Sequence, residues 1–482
     1  MSYPGGIIES VFECSSDVDL IELMGEATRD ESSSIALRML AVGELYARRE
    51  VELIERALWG TDATDWVAAE VSAVQNISHA RAVSQVGYAR TLRERHPQLA
   101  KVFLRGTIDL RVVSTIIART ENVADELIAD LDEAIARHCE KWMKLSKDKL
   151  RDRIDQWVAK FDPAGVRVTP QVDEGRYIEV SPGASAGMGF VNGHIRAEDG
   201  AALDQGLDAL AATVCEHDPR TLAQRRSDAC GPLGRREAFL ACQCGREDCT
   251  AAAQRTAAST AVIHVLAEQG TLDGTSDNPG YLRGFGILPP ESVRRVATTA
   301  KLKPVTVPTG TTPDPGYRPS AACKEFVQWR DLTCRWPGCD RPVEKSDIDH
   351  TVPWPAGPTH ASNNKCYCRI HHLIKTFGCW ADQQMPDGTI ILRSPTGHVY
   401  CTEPHGAAMF PTLGRSTGEL DLPETLEPPT DRSALMPKRR QTRDEDRRDR
   451  INAERRQRTE LIAEEERQRQ AWLAANYQPP PF

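Results

Sequence analysis

The stretch from Cys334 to His372 concentrates side chains that can bind metals or transfer protons, more densely than the rest of the chain. Cys334 and Cys339 flank a Trp-Pro-Gly turn, and Cys368 and His371 are separated by one helical turn. Two such half-sites can enclose one ion in the closed Cys3His tetrahedron typical of structural zinc. Because so short a module cannot build a large core, the metal would take its place. The paired spacing therefore predicts a structural zinc site rather than isolated buried cysteines.

A second group of polar residues lies between these half-sites. The segment Asp347–Val352 is predicted to be a strand that ends at Pro353, and within it His350 follows Asp349. A histidine beside a carboxylate can deprotonate water while the acid holds a divalent cation. Neighbouring strand residues point to opposite faces, so both can serve one phosphate only if the strand bends there. Asn363 follows a Pro/Gly-rich loop, as expected of a chain that returns to the strand.

The helix predicted after Cys368 carries the remaining candidates. Its apolar residues recur with helical spacing and form a core face: Ile370, Leu373, Ile374 and Phe377. His371 and His372 leave the helix axis about 100° apart, so one can bind the zinc while the other faces Asp349 and a second metal. Lys375 lies one turn beyond His372 and is placed to contact a phosphate.

Asp349-His350, Asn363 and His372 together resemble the His-Asn-His (HNH) endonuclease motif of the ββα-metal fold. The C-x4-C and C-x2-H-H spacings resemble the zinc-bound subset of that family. The resemblance implies hydrolysis of DNA phosphodiester bonds with Mg²⁺ or Mn²⁺ as the catalytic ion, and DNA as the partner. It implies His350 as the general base and Asp349 and His372 as metal ligands. Asn363 would orient the loop or contact the metal.

The wider arrangement resembles the actinobacterial 13E12 repeat family. A long helical N-terminal half is followed by GMGFVNGHI, by DPRTLAQRRSDA and then by the HNH motif. The N-terminal half of that family is a domain of unknown function, so this part of the resemblance implies no mechanism.

Hydrophobic periodicity and Pro/Gly punctuation predict a mainly α N-terminal region with a small β-containing part, followed by a zinc-stapled ββα module. Ser32–Ser34 would cap the first long helix, and Asn192-Gly193 would form a hairpin turn. The predicted segments are a lead-in (1–30), a helical domain (31–161), a mixed α/β extension (162–300), a Pro-rich linker (301–322), the HNH module (323–405), an irregular Pro-rich segment (406–437) and a flexible, charged tail that is helical or disordered (438–482).

The composition limits the function classes. A net charge of −9 and a pI near 5.8 argue against a generally basic nucleic-acid binder, although a nuclease needs only a local basic surface. No apolar run approaches the ~20 residues that span a bilayer, and the N-terminus lacks the basic and apolar regions of a signal peptide. We therefore expect a cytoplasmic protein without a membrane partner. Arginines at 220–236 and in the tail are interleaved with acids, which favours solvated faces over DNA contacts.

The fourteen cysteines cluster at 242–249 and at 334–379, as metal ligands do in a reducing compartment. Cys242, Cys244 and Cys249 could form a zinc knuckle with His264 or another cysteine as the fourth ligand. Because no CxxC pair is present there, we favour free thiols. The remaining scattered cysteines are interpreted as ordinary buried or half-buried residues: Cys14, Cys139, Cys215, Cys230 and Cys401.

Three functional hypotheses follow from these patterns. The first is a metal-dependent DNA endonuclease. The second is a catalytically inactive, zinc-stapled DNA-binding or assembly protein, which keeps the four zinc ligands and does not need His350. The third assigns the function to the helical half, which would form a homo-oligomer or bind a protein partner, with the nuclease as its effector.

Overall fold

A computed structural model of the chain divides it into two units, residues 1–168 with 307–482 and residues 169–306. The prediction of a mainly helical chain with small sheets is confirmed. Among the described residues, no helix combines the length and the apolar character needed to cross a membrane. The structure describes residues 12, 15–55, 63–168, 176–251, 264–298, 300–423, 435 and 440–476.

The N-terminal part of the first unit is a bundle of helices around one apolar core. Two 3-10 turns, Cys139–Lys144 and Pro163–Gly165, lie on either side of its last helix. The helices are α1 (Asp17–Glu55), α2 (Ala63–Gln75), α3 (His79–Glu94), α4 (Pro97–Leu104), α5 (Leu110–Thr120), α6 (Asp125–Ala136) and α7 (Lys147–Phe161).

Helix α1 begins earlier than the sequence patterns predicted. Ser16 and Asp19 cap it reciprocally, because the Ser16 N–H donates to Asp19 Oδ2 at 2.8 Å and the Asp19 N–H donates to Ser16 Oγ at 3.2 Å. Ser32–Ser34 lie inside the helix and do not cap it, and Ser32 is buried. Residues 17–30, predicted as a lead-in, are therefore helical. Residues 1–11, 13–14, 424–434 and 436–437 of the lead-in and of the irregular segment lie outside the described residues.

The C-terminal part of the first unit carries the Cys334–His372 stretch. A helix precedes two antiparallel strands in which Ser346 pairs with Cys368 and His350 with Asn364, and another helix follows directly. A three-stranded antiparallel sheet comes next, in which each strand pairs with the one that follows it along the chain. The elements are α12 (Ala321–Asp331), β6 (Ser346–His350), β7 (Asn364–Cys368), α13 (Arg369–Phe377), β8 (Ala381–Gln384), β9 (Ile390–Arg393), β10 (Val399–Thr402) and α14 (His405–Met409), with 3-10 turns at Val343–Lys345 and Pro411–Gly414.

A buried ion pair at the end of α12 holds β7 in place. Arg330 donates to Asp331 at 2.8 Å, and its other nitrogens donate to the carbonyls of Ala361 and Asn364, each at 2.8 Å. Asp331 in turn accepts the Cys366 N–H at 2.8 Å. These bonds satisfy both charged groups inside the protein, which makes their burial tolerable.

Part of the segment predicted to be a linker packs against this module instead. Asp314 bridges to Thr359, with the Asp314 N–H donating to the Thr359 carbonyl at 2.9 Å. The Gly310 carbonyl faces His360 Nε2 at 3.0 Å, and the Ser320 side chain caps α12. A Pro/Gly-rich chain leaves many backbone carbonyls without local partners, and here several are satisfied by the module.

The charged tail forms one long helix, α15 (Arg443–Asn476), and its first half contacts the helical bundle. Arg450 meets Glu121 at 2.7 Å, and Arg455 meets Asp162 at 2.5 Å. Glu454 pairs with Arg167 at 2.9 Å. The helix has no buried residues, so charge pairing rather than an apolar stripe attaches it, and the predicted flexibility does not apply to this half.

The second unit contains small sheets and short helices. Strands β1 and β2 form an antiparallel hairpin, and β3, β4 and β5 form a separate antiparallel sheet. The elements are β1 (Tyr177–Pro182), β2 (Gly189–His194), α8 (Ala197–Ala211), α9 (Leu222–Arg235), β3 (Val265–Leu266), α10 (Gln269–Leu272), β4 (Gly280–Leu282), β5 (Gly286–Leu288) and α11 (Pro290–Ala297).

The predicted hairpin turn at Asn192-Gly193 is wrong, because both residues lie inside β2, opposite Glu179 and Ile178. The chain reverses between β1 and β2, at residues 183–188. Gly193 is instead suited to a close approach, since a Cβ atom there would lie 2.5 Å from the Tyr177 carbonyl oxygen.

Gly338, in the turn between Cys334 and Cys339, gives the first testable prediction. Its φ is +73°, and a Cβ atom would lie 2.4 Å from the Ile77 carbonyl oxygen of the helical bundle. We expect Gly338→Ala to lower the free energy of unfolding by about 1–2 kcal/mol for the left-handed backbone and by about 1–3 kcal/mol for overpacking. Urea denaturation measures this loss.

Gly397→Ala is the matched control. Gly397 also has a positive φ, +84°, but among the described residues no atom lies within 4 Å of its Cβ position. It should lose only the backbone contribution. Equal losses in the two variants would contradict close packing of the turn against the bundle.

Candidate metal centre and adjacent polar site

The structure brings together the four predicted zinc ligands. The sulfurs of Cys334, Cys339 and Cys368 and a ring nitrogen of His371 all lie within 4.8 Å of one another. His371 Nδ1 is 3.5 Å from Cys334 Sγ and 3.4 Å from Cys368 Sγ. Ligands of a tetrahedral zinc ion with ordinary Zn–S and Zn–N bonds are separated by about 3.5–3.8 Å. The four side chains could therefore hold one metal ion.

Burial and ring stacking orient His371 toward the sulfurs. Trp336 stacks on its ring with centroids 4.6 Å apart and an interplanar angle of 5°, and His79 of α3 meets it edge-on at 4.9 Å. Trp336 Nε1 donates to the Ala69 carbonyl of α2 at 3.3 Å. Ala69 and Ala73 belong to the same apolar cluster as Cys334 and Trp336. The helical bundle thus supplies one wall of the metal centre.

The pKa values of the cluster shift in different directions. Burial raises the pKa of the Cys334 thiol well above its usual value and lowers the pKa of His371, whereas hydrogen bonds with Cys334 and Cys339 lower the pKa of Cys368. A neutral imidazole and a thiolate are the forms that bind a metal, and a divalent ion would favour the thiolate form of the other cysteines as well. Cys366, the neighbouring thiol, is buried beside Asp331 and is not one of the four.

A charged cluster surrounds Asp349, which lies in β6. Asp349 Oδ2 lies 2.9 Å from Lys365 Nζ and 3.1 Å from Lys375 Nζ, and Oδ1 lies 3.3 Å from His372 Nε2. Burial alone would raise the pKa of Asp349, but Lys365 and Lys375 hold it well below its usual value. Asp349 is therefore an ionised carboxylate, as a metal ligand must be.

His372 lies between two carboxylates. Its Nδ1 is 2.9 Å from Asp347 Oδ2, and its Nε2 faces Asp349. Burial lowers the pKa of His372, but Asp349 and Asp347 outweigh it and raise the pKa overall. The adjacent pair His371 and His372 is divided as predicted, one at the sulfurs and one at Asp349.

His350 faces a different set of partners. Its Nε2 is 2.9 Å from Thr359 Oγ1, and Tyr317 stacks on its ring with centroids 5.3 Å apart. The Thr359 hydroxyl has one hydrogen, which it donates to the Gly316 carbonyl at 2.6 Å. Nε2 must therefore carry the imidazole proton and donate it to Thr359, so Nδ1 is the nitrogen that can accept a proton. Burial lowers the pKa of His350, against the opposing charge of Asp349.

The two asparagines have distinct environments. Asn363 Nδ2 donates to the carbonyls of Val352 and Pro358, at 3.0 and 2.8 Å, and its Oδ1 accepts the Val352 N–H at 2.9 Å. Asn363 thus holds the loop after β6. Asn364, opposite His350 on β7, is fully buried, and within the described part of the chain neither atom of its side-chain amide has a hydrogen-bond partner. The sequence motif singled out Asn363, and only the strand register brings Asn364 to His350.

Lys375 does not lie on the surface as a phosphate contact would. Its side chain is buried, and Nζ donates to the His350 carbonyl at 2.7 Å besides meeting Asp349 and Asp382. These partners offset the desolvation cost of the buried ammonium group. Helical spacing gave the position of Lys375 along the helix but not its burial, so it did not predict this environment.

A second cysteine cluster lies in the second unit. Cys215, Cys242, Cys244 and Cys249 have sulfurs within 4.8 Å of one another and could hold a metal ion. The fourth member of this group is Cys215, which the sequence analysis interpreted as an ordinary residue, and not His264. No local spacing links Cys215 to the other three, so only the tertiary structure shows the group.

The chain matches the family described as a domain of unknown function (DUF222) over residues 26–331. The chain belongs to the DUF222 family. The match ends before Cys334, so it includes the second cysteine cluster and excludes the Cys3His cluster.

Proteins of Mycobacterium tuberculosis (strain ATCC 25618 / H37Rv) are similar to this DUF222 member over most of its length. The uncharacterized protein Rv2100 is 40% identical over 92% of this chain and 88% of its own. The uncharacterized protein Rv3776 is 40% identical over 91% of this chain and 90% of its own. No solved structure gives a match.

Proposed function

We propose that this DUF222 protein is an HNH-type endonuclease that hydrolyses DNA phosphodiester bonds. One observation carries the proposal: Asp349, the neighbour of His350 in β6, meets His372 at 3.3 Å, in a strand–strand–helix unit that also supplies Cys368 and His371 to the Cys3His cluster. Zinc at that cluster would have a structural role. The family resemblance of residues 334–372 supports the same assignment.

In this proposal each polar residue has one role. His350 Nδ1 takes the proton of the attacking water, because Thr359 keeps the other ring nitrogen protonated. Asp349 and His372, with Asp347 next to His372, would hold Mg²⁺ or Mn²⁺, for which carboxylate oxygens are suitable ligands. Such an ion would supply positive charge where negative charge develops on the phosphate. Asn363 orients the loop that carries Thr359.

The second candidate is a zinc-stapled DNA-binding or assembly protein without catalysis. The ammonium groups of Lys365 and Lys375 within 3.1 Å of Asp349 favour it, because they already pair with the ionised carboxylate that a divalent ion would need. Tyr317 also covers the ring of His350. The two candidates differ in whether purified protein converts DNA to product.

The test is nicking of supercoiled plasmid by the full-length protein with Mg²⁺ or Mn²⁺. We expect His350→Ala to reduce the nicking rate by about 10²- to 10⁴-fold, the usual contribution of a general base. Its zinc content, measured by mass spectrometry, should equal that of the wild type, since His350 is not in the Cys3His cluster.

His398→Ala is the matched control, because His398 is an exposed histidine of the same module. It should nick at the wild-type rate. Cleavage that persists in His350→Ala would refute the assignment of the base. DNA retention that weakens with salt, without any cleaved product from the wild type, would favour the second candidate.

A further inference from the structure

The four cysteines of the second unit converge from two loops. Cys215 follows α8, while Cys242, Cys244 and Cys249 follow α9. All four sulfurs lie within 4.8 Å of one another, and those of Cys215 and Cys242 are 3.5 Å apart. A disulfide would need about 2.05 Å between sulfurs, whereas neighbouring thiolates on a tetrahedral zinc ion lie about 3.8 Å apart. The spacing of the cluster is close to that of metal ligands.

The backbone of these loops is shaped around the sulfurs. Gly245, directly after Cys244, has a φ of +68° and lets the chain turn back toward the cluster. The Cys249 N–H donates to the Arg246 carbonyl at 3.3 Å, which closes the turn between Cys244 and Cys249.

An ion pair within the loop after α8 makes hydrogen bonds to the loop after α9, so the two loops are joined independently of the cysteines. Arg220 meets Asp218 at 2.8 Å, and Asp218 also accepts the Gln243 N–H at 2.9 Å. Arg220 donates to the Ala241 carbonyl at 2.7 Å. Cys215 on one loop and Cys242 on the other are therefore held near each other by polar contacts at adjacent positions.

We propose that Cys215, Cys242, Cys244 and Cys249 bind a second structural zinc ion. Four thiolates in one tetrahedral group are the donor set of closed zinc sites. The ion would join the loops after α8 and α9 in a unit whose described sheets have only two and three strands. This site lies within residues 26–331, the part that matches DUF222, and does not depend on the proposed nuclease function.

The test counts zinc in the full-length protein, purified under reducing conditions without added metal. We expect two zinc ions per chain in the wild type, one in Cys244→Ser and one in Cys368→Ser. The double variant should contain none. Cys230→Ser is the matched control, because Cys230 is an exposed cysteine on α9 outside the cluster, and it should keep two.

Cobalt separates loss of a ligand from loss of the fold. In protein reconstituted with Co²⁺ alone, Cys368→Ser should show the absorption of a tetrathiolate site. The sulfur-to-cobalt charge-transfer band of such a site is stronger than that of a site with three sulfur ligands and one nitrogen ligand. Cys244→Ser should show the weaker band, which belongs to the remaining Cys3His cluster. The two variants should thus differ in the strength of this band, and the difference shows which cluster still binds cobalt.

Three results would overturn the proposal. The first is a wild type with one zinc that Cys244→Ser leaves unchanged. The second is iron rather than zinc in Cys368→Ser, since a tetrathiolate group also suits iron. The third is a mass deficit showing that the four cysteines form disulfides in protein made in a reducing cytosol.

Discussion

Cys368→Ser should remove the zinc of the Cys3His cluster and unfold residues 334–377 around it. The sulfur of Cys368 lies 3.4 Å from His371 Nδ1, and Cys368 also joins β7 to α13. Structural zinc contributes about 10–16 kcal/mol of apparent binding free energy in small zinc domains, which is more than a typical domain's whole stability. We therefore expect the remaining contacts of the module to be too weak to replace it.

The near-UV circular dichroism spectrum measures this unfolding, because Trp336 lies against both His371 and Trp380, with ring centroids 4.6 and 4.4 Å apart. We expect the near-UV signal from Trp336 and Trp380 to disappear in Cys368→Ser, together with one zinc per chain. Cys401→Ser is the control, since Cys401 is an exposed cysteine on β10 of the same module. A Cys368→Ser protein with unchanged zinc and an unchanged spectrum would show that the cluster is not a metal site.

Lys365→Met should strongly destabilise the module. Lys365 is fully buried, and its Nζ lies 2.9 Å from both Asp349 and Asp382. Removing one partner of a buried ion pair costs about 3–5 kcal/mol. In Lys365→Met the ammonium group of Lys375 would face two buried carboxylates, those of Asp349 and Asp382. Urea denaturation followed by tryptophan fluorescence should show a loss of that size.

Lys345→Met is the matched control, because Lys345 is exposed in the turn before β6, and it should change stability by less than about 0.5 kcal/mol. Adding Asp382→Asn to Lys365→Met should restore part of the stability, since Lys375 then faces one buried carboxylate instead of two. Equal stability of Lys365→Met and Lys345→Met would contradict the buried network.

The dependence of the metal centre on the helical bundle bears on the hypothesis that the N-terminal half has a function of its own. Trp336 is buried against Ala69, and Gly338 lies close to the Ile77 carbonyl, so a chain without residues 1–300 would expose one wall of the Cys3His cluster. Reduced cleavage by such a truncated chain would then have two causes, the exposed cluster and the loss of a partner-binding domain. The full-length variants keep the wall of the cluster intact and separate the two causes.

Sequence alone determined the features that depend on local geometry. Cysteine spacing across a tight turn and along one helical turn identified Cys334, Cys339, Cys368 and His371, and helical periodicity separated His371 from His372. These relations involve residues whose relative positions follow from a short piece of backbone. For the same reason the Ser16–Asp19 capping box was readable in principle, although the helix start was predicted later in the chain.

Only the tertiary structure decided what depends on chain segments far apart. It brought Cys215 to Cys242 across 27 residues and Tyr317 to His350. It also buried Lys375 beside Asp349, where helical spacing had predicted a surface phosphate contact. Such contacts arise from packing between elements, and their free energy comes from excluding water around many groups at once. That cooperative packing has no signature in residue spacing.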